Sequence, residues 1–254
     1  MRYALLVAYD GTNYAGWQIQ KNAVTVQEKL SYALKEMLGF PVTATASGRT
    51  DSGVHAAAQV CHFDAETAIP AEKMADAINF RLPDDISVLQ SVQAPEWFDA
   101  SSSVKKKTYC YRVYLSRCRS PLKDRYAVQI KYPVDLNKLI SVGKTFEGEH
   151  DFKAYCAAGS QVKTTVRTIY SIEVKTKERR GSLDIEIYFT GNGFLYNMVR
   201  TLVGTMLYFA AGRIDEEQIA RSLCEQDRSA VGKTMPANGL TLECVDYGIN
   251  LFLQ

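Results

Sequence analysis

Three reactive side chains crowd one short stretch, Ser47-Gly48-Arg49-Thr50-Asp51-Ser52-Gly53-Val54-His55-Ala56. A carboxylate such as Asp51 titrates near ~3.9 when unperturbed, so it is ionised at neutral pH and can serve as a nucleophile or stabilise positive charge. A neighbouring guanidinium such as Arg49 favours that ionised form. The two glycines reach backbone angles closed to other residues and let a second molecule approach the main chain. A plain hairpin needs none of this; a turn such as Asn-Gly suffices. The residues alone leave two readings open. One is a polar loop with a weak, exposed ion pair; the other is a loop that presents a carboxylate beside a guanidinium. Two further side chains stand out. Tyr109 lies in a strand-like run, where core packing is the plain reading. Arg200 sits in an apolar helical run, where a charge is rarely left without a partner; Asp51 is one candidate.

The elements that must position these residues follow in order. Arg2–Tyr9 reads as a strand and 10–20 as a loop rich in Gly, Asn and aromatics. Thr25 with Glu28 forms a capping box that opens a helix to about Leu38, with Val26, Leu30, Ala33, Leu34 and Met37 on one face and Gly39 and Pro41 as its stop. Val42–Ala46 and Ala57–Phe63 read as strands, Pro70–Asn79 as a helix and Ile86–Gln93 as a strand. The order β-α-β-β-α-β is the ferredoxin-like motif. A seam follows at Pro95–Lys107. The second half repeats the order: a strand over Thr108–Leu115, a helix over Asp135–Lys144, strands over Thr168–Thr176 and Leu183–Thr190, helices over Asn197–Ala210 and Asp215–Glu225, and a strand over Leu240–Tyr247. Hairpin-joined strands with helices packed on them predict an α+β protein: two ferredoxin-like halves, 1–103 carrying the Asp51 loop and 104–254 completing the site, with a largely antiparallel sheet flanked by helices.

The chain of 254 residues is 46% hydrophobic, enough for a real core, and its formal net charge is only +2. Affinity for a nucleic acid must therefore come from local clusters. No apolar run reaches the ~18 residues of a membrane helix, and Met1–Asp10 is not a signal sequence. Cys61, Cys110, Cys118, Cys156, Cys224 and Cys244 form no C-x-x-C pair, so no zinc or thioredoxin-like pattern is present, and reduced thiols in a cytoplasmic protein are expected. Gly143-Lys144-Thr145 and Gly232-Lys233-Thr234 mimic the end of a phosphate-binding loop, but Lys138 and Asp227 stand where its first glycine belongs.

The order of residues from Gly48 to His55 resembles the signature loop of the TruA family of tRNA pseudouridine synthases, with Ser52 where Ala is more usual. The resemblance runs along nearly the whole chain: Tyr9-Asp10-Gly11-Thr12-x-Tyr14-x-Gly16-Trp17-Gln18-x-Gln20, Val26-Gln27-Glu28-x-Leu30, Lys107-Thr108-Tyr109-x-Tyr111, Glu149-His150-Asp151-Phe152, Arg167-Thr168-Ile169, Gly191-x-Gly193 through Arg200 with Gly204, and Gly239-Leu240-x-Leu242. Cys110 replaces a common Arg, and Phe98-Asp99-Ala100-Ser101 stands for the usual Phe-His-Ala-Arg, which removes one basic contact; Lys105, Lys106 and Lys107 stand close by.

That resemblance implies a pseudouridine synthase fold and an isomerase acting on uridines 38, 39 and 40 of the tRNA anticodon arm, as a cytoplasmic homodimer with no cofactor and no metal. It gives Asp51 the role of catalytic nucleophile, Tyr109 that of stacking on the flipped base, and Arg49, Arg200 and His55 substrate-side roles, with Tyr14 a further RNA contact. A base inside a helix is out of reach, so the uridine must be extruded. Two rivals stay in view: a non-catalytic tRNA-binding or folding module on the same scaffold, and a hydrolase that releases free uracil. Elsewhere, Lys105–Lys107 reads as a solvated edge. Lys175, Lys177, Arg179 and Arg180 form a basic hairpin tip, either solvated or touching phosphate. Trp17 reads as packing over the core, His62 as structural, and Phe194–Tyr196 as core.

Overall fold

The computed structural model describes residues 1–157, 162–179 and 181–252. In chain order the strands are β1 (Arg2–Tyr9), β2 (Thr45–Ala46), β3 (His55–Asp64), β4 (Ile86–Ala94), β5 (Lys106–Leu115), β6 (Val128–Ile130), β7 (Gly148–Asp151), β8 (Val166–Arg179), β9 (Ser182–Gly191) and β10 (Leu240–Asp246). The helices are α1 (Val26–Leu38), α2 (Met74–Asn79), α3 (Leu136–Thr145), α4 (Met198–Ala210) and α5 (Glu216–Cys224). The chain divides into two compact units, Met1–Lys106 with Thr241–Gln254, and Lys107–Leu240. The last strand groups with the first unit, where Thr241 and Leu242 pair in parallel with His55 and Ala56 of β3.

In the first unit β1 lies between β3 and β4, antiparallel to both, and β2 pairs with β3. The resulting order β4-β1-β3-β2 is ferredoxin-like. Strand β1 is buried on both faces. Tyr3, Leu5 and Val7 alternate with Ala4, which joins Val60, Phe98, Ala100 and Tyr247 in a second core. Tyr247 donates its hydroxyl to Ala100 O at 2.8 Å, and Ala100 N–H donates to His62 Nδ1 at 3.1 Å, so His62 is a buried structural residue. The capping box of α1 is formed as read, Val26, Leu30, Ala33 and Leu34 are buried, and Gly39 ends the helix at φ 82°.

Two elements are shorter than expected, each for a visible reason. Only Thr45 and Ala46 of the expected strand pair with β3, because the carbonyl of Ala44 is taken by the Gln27 side chain at 2.9 Å. The helix expected over Pro70–Asn79 splits into a 3₁₀ turn at Ala71–Lys73 and α2. The Ser91 hydroxyl inserts between Ala71 O (2.6 Å) and Ala75 N (2.8 Å), the pair an unbroken helix would join.

In the second unit β9 lies between β5 and β8, antiparallel to both. Strand β7 adds to β8 and β6 runs parallel beside β5. Strands β6 and β7 were not foreseen; β7 is Gly-Glu-His-Asp and carries no apolar alternation. Helix α4 is apolar around most of its surface and packs on α3. A Cβ at Gly204 would lie 1.8 Å from Lys233 O, so only glycine lets the chain at 232–233 approach this closely. The fold is thus α+β, its sheet strands largely antiparallel and flanked by helices in both units.

Candidate active site

The loop between β2 and β3 carries Arg49, Asp51 and His55, and its main chain is fixed from two sides. Beneath it lies Gln59, fully buried on β3. Its Oε1 accepts from the Ser47 hydroxyl (2.6 Å) and Val60 N–H (3.1 Å), and its Nε2 donates to Gly48 O (3.0 Å). The buried Tyr9 hydroxyl lies 2.8 Å from Thr50 Oγ1, and burial, against the opposite pull of its hydrogen bonds, pushes the Tyr9 phenol well above its ordinary pKa. The other side is held by the segment after β1. Trp17 N–H donates to Thr50 O (3.2 Å), Gly53 N–H to Tyr14 O (3.2 Å), and the Ser52 hydroxyl to Tyr14 O (3.3 Å). Two glycines allow this contact. A Cβ at Gly11 would sit 2.0 Å from Val54 O, and one at Gly16, whose φ is +88°, 2.4 Å from Thr50 O.

Within this frame Asp51 is half-buried and Arg49 exposed. Among the described residues Arg49 pairs with no carboxylate, so the reading of the loop as a local Arg49–Asp51 ion pair is not met, and Asp51 has other partners. His55 is buried, 3% exposed, and its Nδ1 accepts the Gly11 N–H at 3.0 Å, with Asp10 Oδ1 at 3.1 Å. The ring therefore faces the protein's own main chain. Tyr14 also turns inward, its hydroxyl donating to Asp85 Oδ1 at 2.5 Å, and Trp17 is packed, 2% exposed.

The second unit carries Tyr109 and Arg200. Strand alternation puts Lys107, Tyr109 and Tyr111 on one face of β5. Tyr109 is buried and meets Phe194 edge-on, ring centroids 5.3 Å apart at 86°. The Tyr111 hydroxyl donates to Pro236 O at 2.6 Å. A Cβ at Gly239 would lie 2.7 Å from the Tyr111 ring, so Tyr111 and the segment 236–239 lock together. Lys107 is half-buried, and that burial pulls its amine down to about 8. The run 105–107 is thus a solvated edge only at Lys105 and Lys106. Arg200, in the first turn of α4, donates Nε to Met235 O (2.7 Å) and a terminal nitrogen to Asn197 Oδ1 (2.8 Å). Tyr196, expected in the core, is 53% exposed. In the basic hairpin Lys175 lies over the Tyr188 ring, 4.6 Å from its centroid, and Arg179 lies 3.9 Å from Asp184. Arg180 lies outside the described residues.

Gln59, Tyr9 and Asn197 escaped the sequence reading. A glutamine in an apolar strand gives one weak signal, and Tyr9 and Asn197 stand inside the quoted motif blocks, though nothing local tells what they do. No group of three or more metal-ligating side chains occurs among the described residues, and no helix is long and apolar enough to cross a membrane.

A half-buried carboxylate on a fixed loop of one unit, and a strand-borne tyrosine and a helix-borne arginine of the other, are residue types that an RNA-modifying isomerase can use, and comparison with known proteins identifies the class. The profile of a family described as tRNA pseudouridine synthase matches residues 5–101 and 143–248. Over 243 residues the chain is 45% identical to tRNA pseudouridine synthase A of Ruminiclostridium cellulolyticum, covering 96% of this chain and 98% of that protein. It is 43% identical over 242 residues to the protein of the same name from Halalkalibacterium halodurans, covering 94% and 90% of the two chains. The corresponding protein of Limosilactobacillus reuteri is 41% identical over 252 residues, with 98% of each chain covered. The chain belongs to the tRNA pseudouridine synthase family. A solved H/ACA ribonucleoprotein bound to a substrate RNA aligns only loosely, with a TM-score of 0.34 and 14% identity over 79% of this chain and 44% of that one.

Proposed function

We propose that this protein isomerises uridine to pseudouridine in tRNA, at positions 38, 39 and 40 of the anticodon arm, with Asp51 as the catalytic nucleophile. The observation that carries the reading is the fixed Asp51 loop. Its main chain is bonded to Tyr14, Trp17 and Gln59 on either side of the carboxylate, so the side chain is presented by a preorganised backbone. The reaction is balanced within the substrate. The bond from uracil N1 to ribose C1′ breaks, the base turns, C5 bonds to C1′, the proton leaves C5, and N1 gains a proton. No co-reactant enters, and no cofactor is part of the reading.

Asp51 acts on the nucleoside as the N1–C1′ bond opens, and Tyr109 stacks on the extruded base. Arg200 and exposed Arg49 supply positive charge on the substrate side, Arg49 to a phosphate. His55 acts from beneath the loop, through Gly11 and the segment that clamps Asp51. The enzyme works in the cytoplasm as a homodimer; the near-neutral charge of the chain is in keeping with binding in a local groove rather than over a whole basic surface.

The test is Asp51→Asn on unmodified tRNA, with pseudouridine mapped by position and tRNA binding measured in parallel. Turnover is expected to vanish while binding persists. Normal pseudouridine formation by the variant removes Asp51 from the mechanism, and release of free uracil by the native protein replaces the isomerase with a hydrolase. Sedimentation of the native protein tests the dimer.

A further inference from the structure

Asn197 breaks two local rules at once. It holds φ 63° and ψ 1°, a left-handed conformation that L-residues other than glycine rarely adopt. It is also the N-cap of α4, yet its side chain makes no bond to the first N–H groups of that helix. An asparagine at this position normally caps its own helix, a contribution of about 1 kcal/mol. Here the carboxamide oxygen instead accepts a terminal N–H of Arg200 at 2.8 Å. The α-helices α1, α3 and α5 use their N-cap side chains, and α2 starts at Lys73, which has no acceptor to offer, so among the described α-helices only α4 holds a capping residue that does not cap. Local strain with a forfeited cap is the kind of outlier from which a functional hypothesis properly starts.

We propose that Asn197 is a positioning residue for Arg200: its left-handed backbone and side-chain oxygen, together with the Met235 carbonyl, set the plane of the Arg200 guanidinium. Two bonds at two different nitrogens define that plane, where one would leave the group free to swivel. The left-handed turn is what aims the asparagine oxygen along the helix at the residue three further on, rather than back at the helix end. The Met235 carbonyl is fixed in turn, since Met235 N–H donates to Arg200 O at 3.2 Å and Gly204 admits the neighbouring chain. Arginine placement is thus built into the helix start. The inference rests on the reading of Arg200 as part of the active site.

The test separates backbone from side chain. Asn197→Gly keeps the left-handed backbone and removes the oxygen; Asn197→Asp keeps both. For Asn197→Gly the expected result is an unchanged or higher Tm, a kcat for tRNA lowered roughly ten- to a hundredfold, and a KM within about twofold of native, as loss of orientation requires. Asn197→Asp is expected to keep kcat within about threefold. In an Arg200→Ala background, Asn197→Gly should cost nothing further. Native kcat in Asn197→Gly, or an equal loss in both backgrounds, overturns the inference while leaving the site intact. Native kcat in Arg200→Ala removes Arg200 from the site and overturns both.

Discussion

Replacing Gln59 with leucine removes three hydrogen bonds at a fully buried position and leaves the Ser47 hydroxyl and the Gly48 carbonyl without this partner. A buried polar group that loses its partner costs about 1–3 kcal/mol. Two such groups give roughly 2–4 kcal/mol once some relaxation is allowed. For a chain of 254 residues each kcal/mol lowers Tm by about 2–4 °C, so the variant should melt about 4–16 °C lower. The damage is not spread evenly. Gly48 and Ser47 open the loop that carries Asp51, so the slack appears first where the carboxylate is held. Turnover measured well below the melting transition should fall more than tRNA binding does. Gln59→Glu keeps an acceptor for Ser47 and Val60 but cannot donate to Gly48, and it buries a charge; it should be no better. Thermal melting with kcat and Kd on the same samples decides the matter. A Gln59→Leu protein that melts within about 1 °C of native, with native kcat, would refute the idea that this carboxamide holds the loop.

Tyr109→Phe retains the edge-on contact with Phe194 and loses only the hydroxyl, whereas Tyr109→Leu loses the ring. Activity should fall in the order native, Phe, Leu, and equal pseudouridine formation by all three would end the stacking role. Lys107 should titrate near pH 8 by NMR of its Cε, below exposed lysines near ~10.4. Because burial depresses the folded value, the unfolded chain binds more protons in this window, so this group's contribution to stability rises as pH increases from about 8 to 10.5; a lysine titrating normally would contradict it. Gly204→Ala places a methyl against Lys233 O, and overpacking of this kind costs about 1–3 kcal/mol. It should lower both Tm and kcat, because the displaced segment carries the Met235 carbonyl that Arg200 uses; an unchanged Tm would refute it.

What was legible in the sequence was what neighbouring residues decide. Thr25 with Glu28, Asp135 and Asp215 mark three helix starts because capping is settled within one turn. The Asp51 loop was legible because its residues are contiguous. What was hidden depends on partners far along the chain. Gln27 takes a carbonyl 17 positions away and shortens β2, and Ser91 splits a helix 16 to 20 positions earlier. Tyr14 and His55 read as RNA-side contacts, yet Asp85 and Gly11 draw both inward. Arg49 two residues from Asp51 left a local pair open, but side chains so spaced, one exposed and one half-buried, need not face each other. The Arg200 arrangement joins a helix start to a carbonyl 35 residues later and leaves no periodic trace.

The pairing of the closing strand with β3 has a consequence for biosynthesis. The unit that leaves the ribosome first lacks its final strand until translation has passed Asp246, whereas Lys107–Leu240 is one contiguous stretch. The first unit is therefore complete only after the whole of the second has been synthesised. A stalled or prematurely terminated nascent chain would leave one flank of β3 open at the very residues, His55 and Ala56, where the Asp51 loop ends.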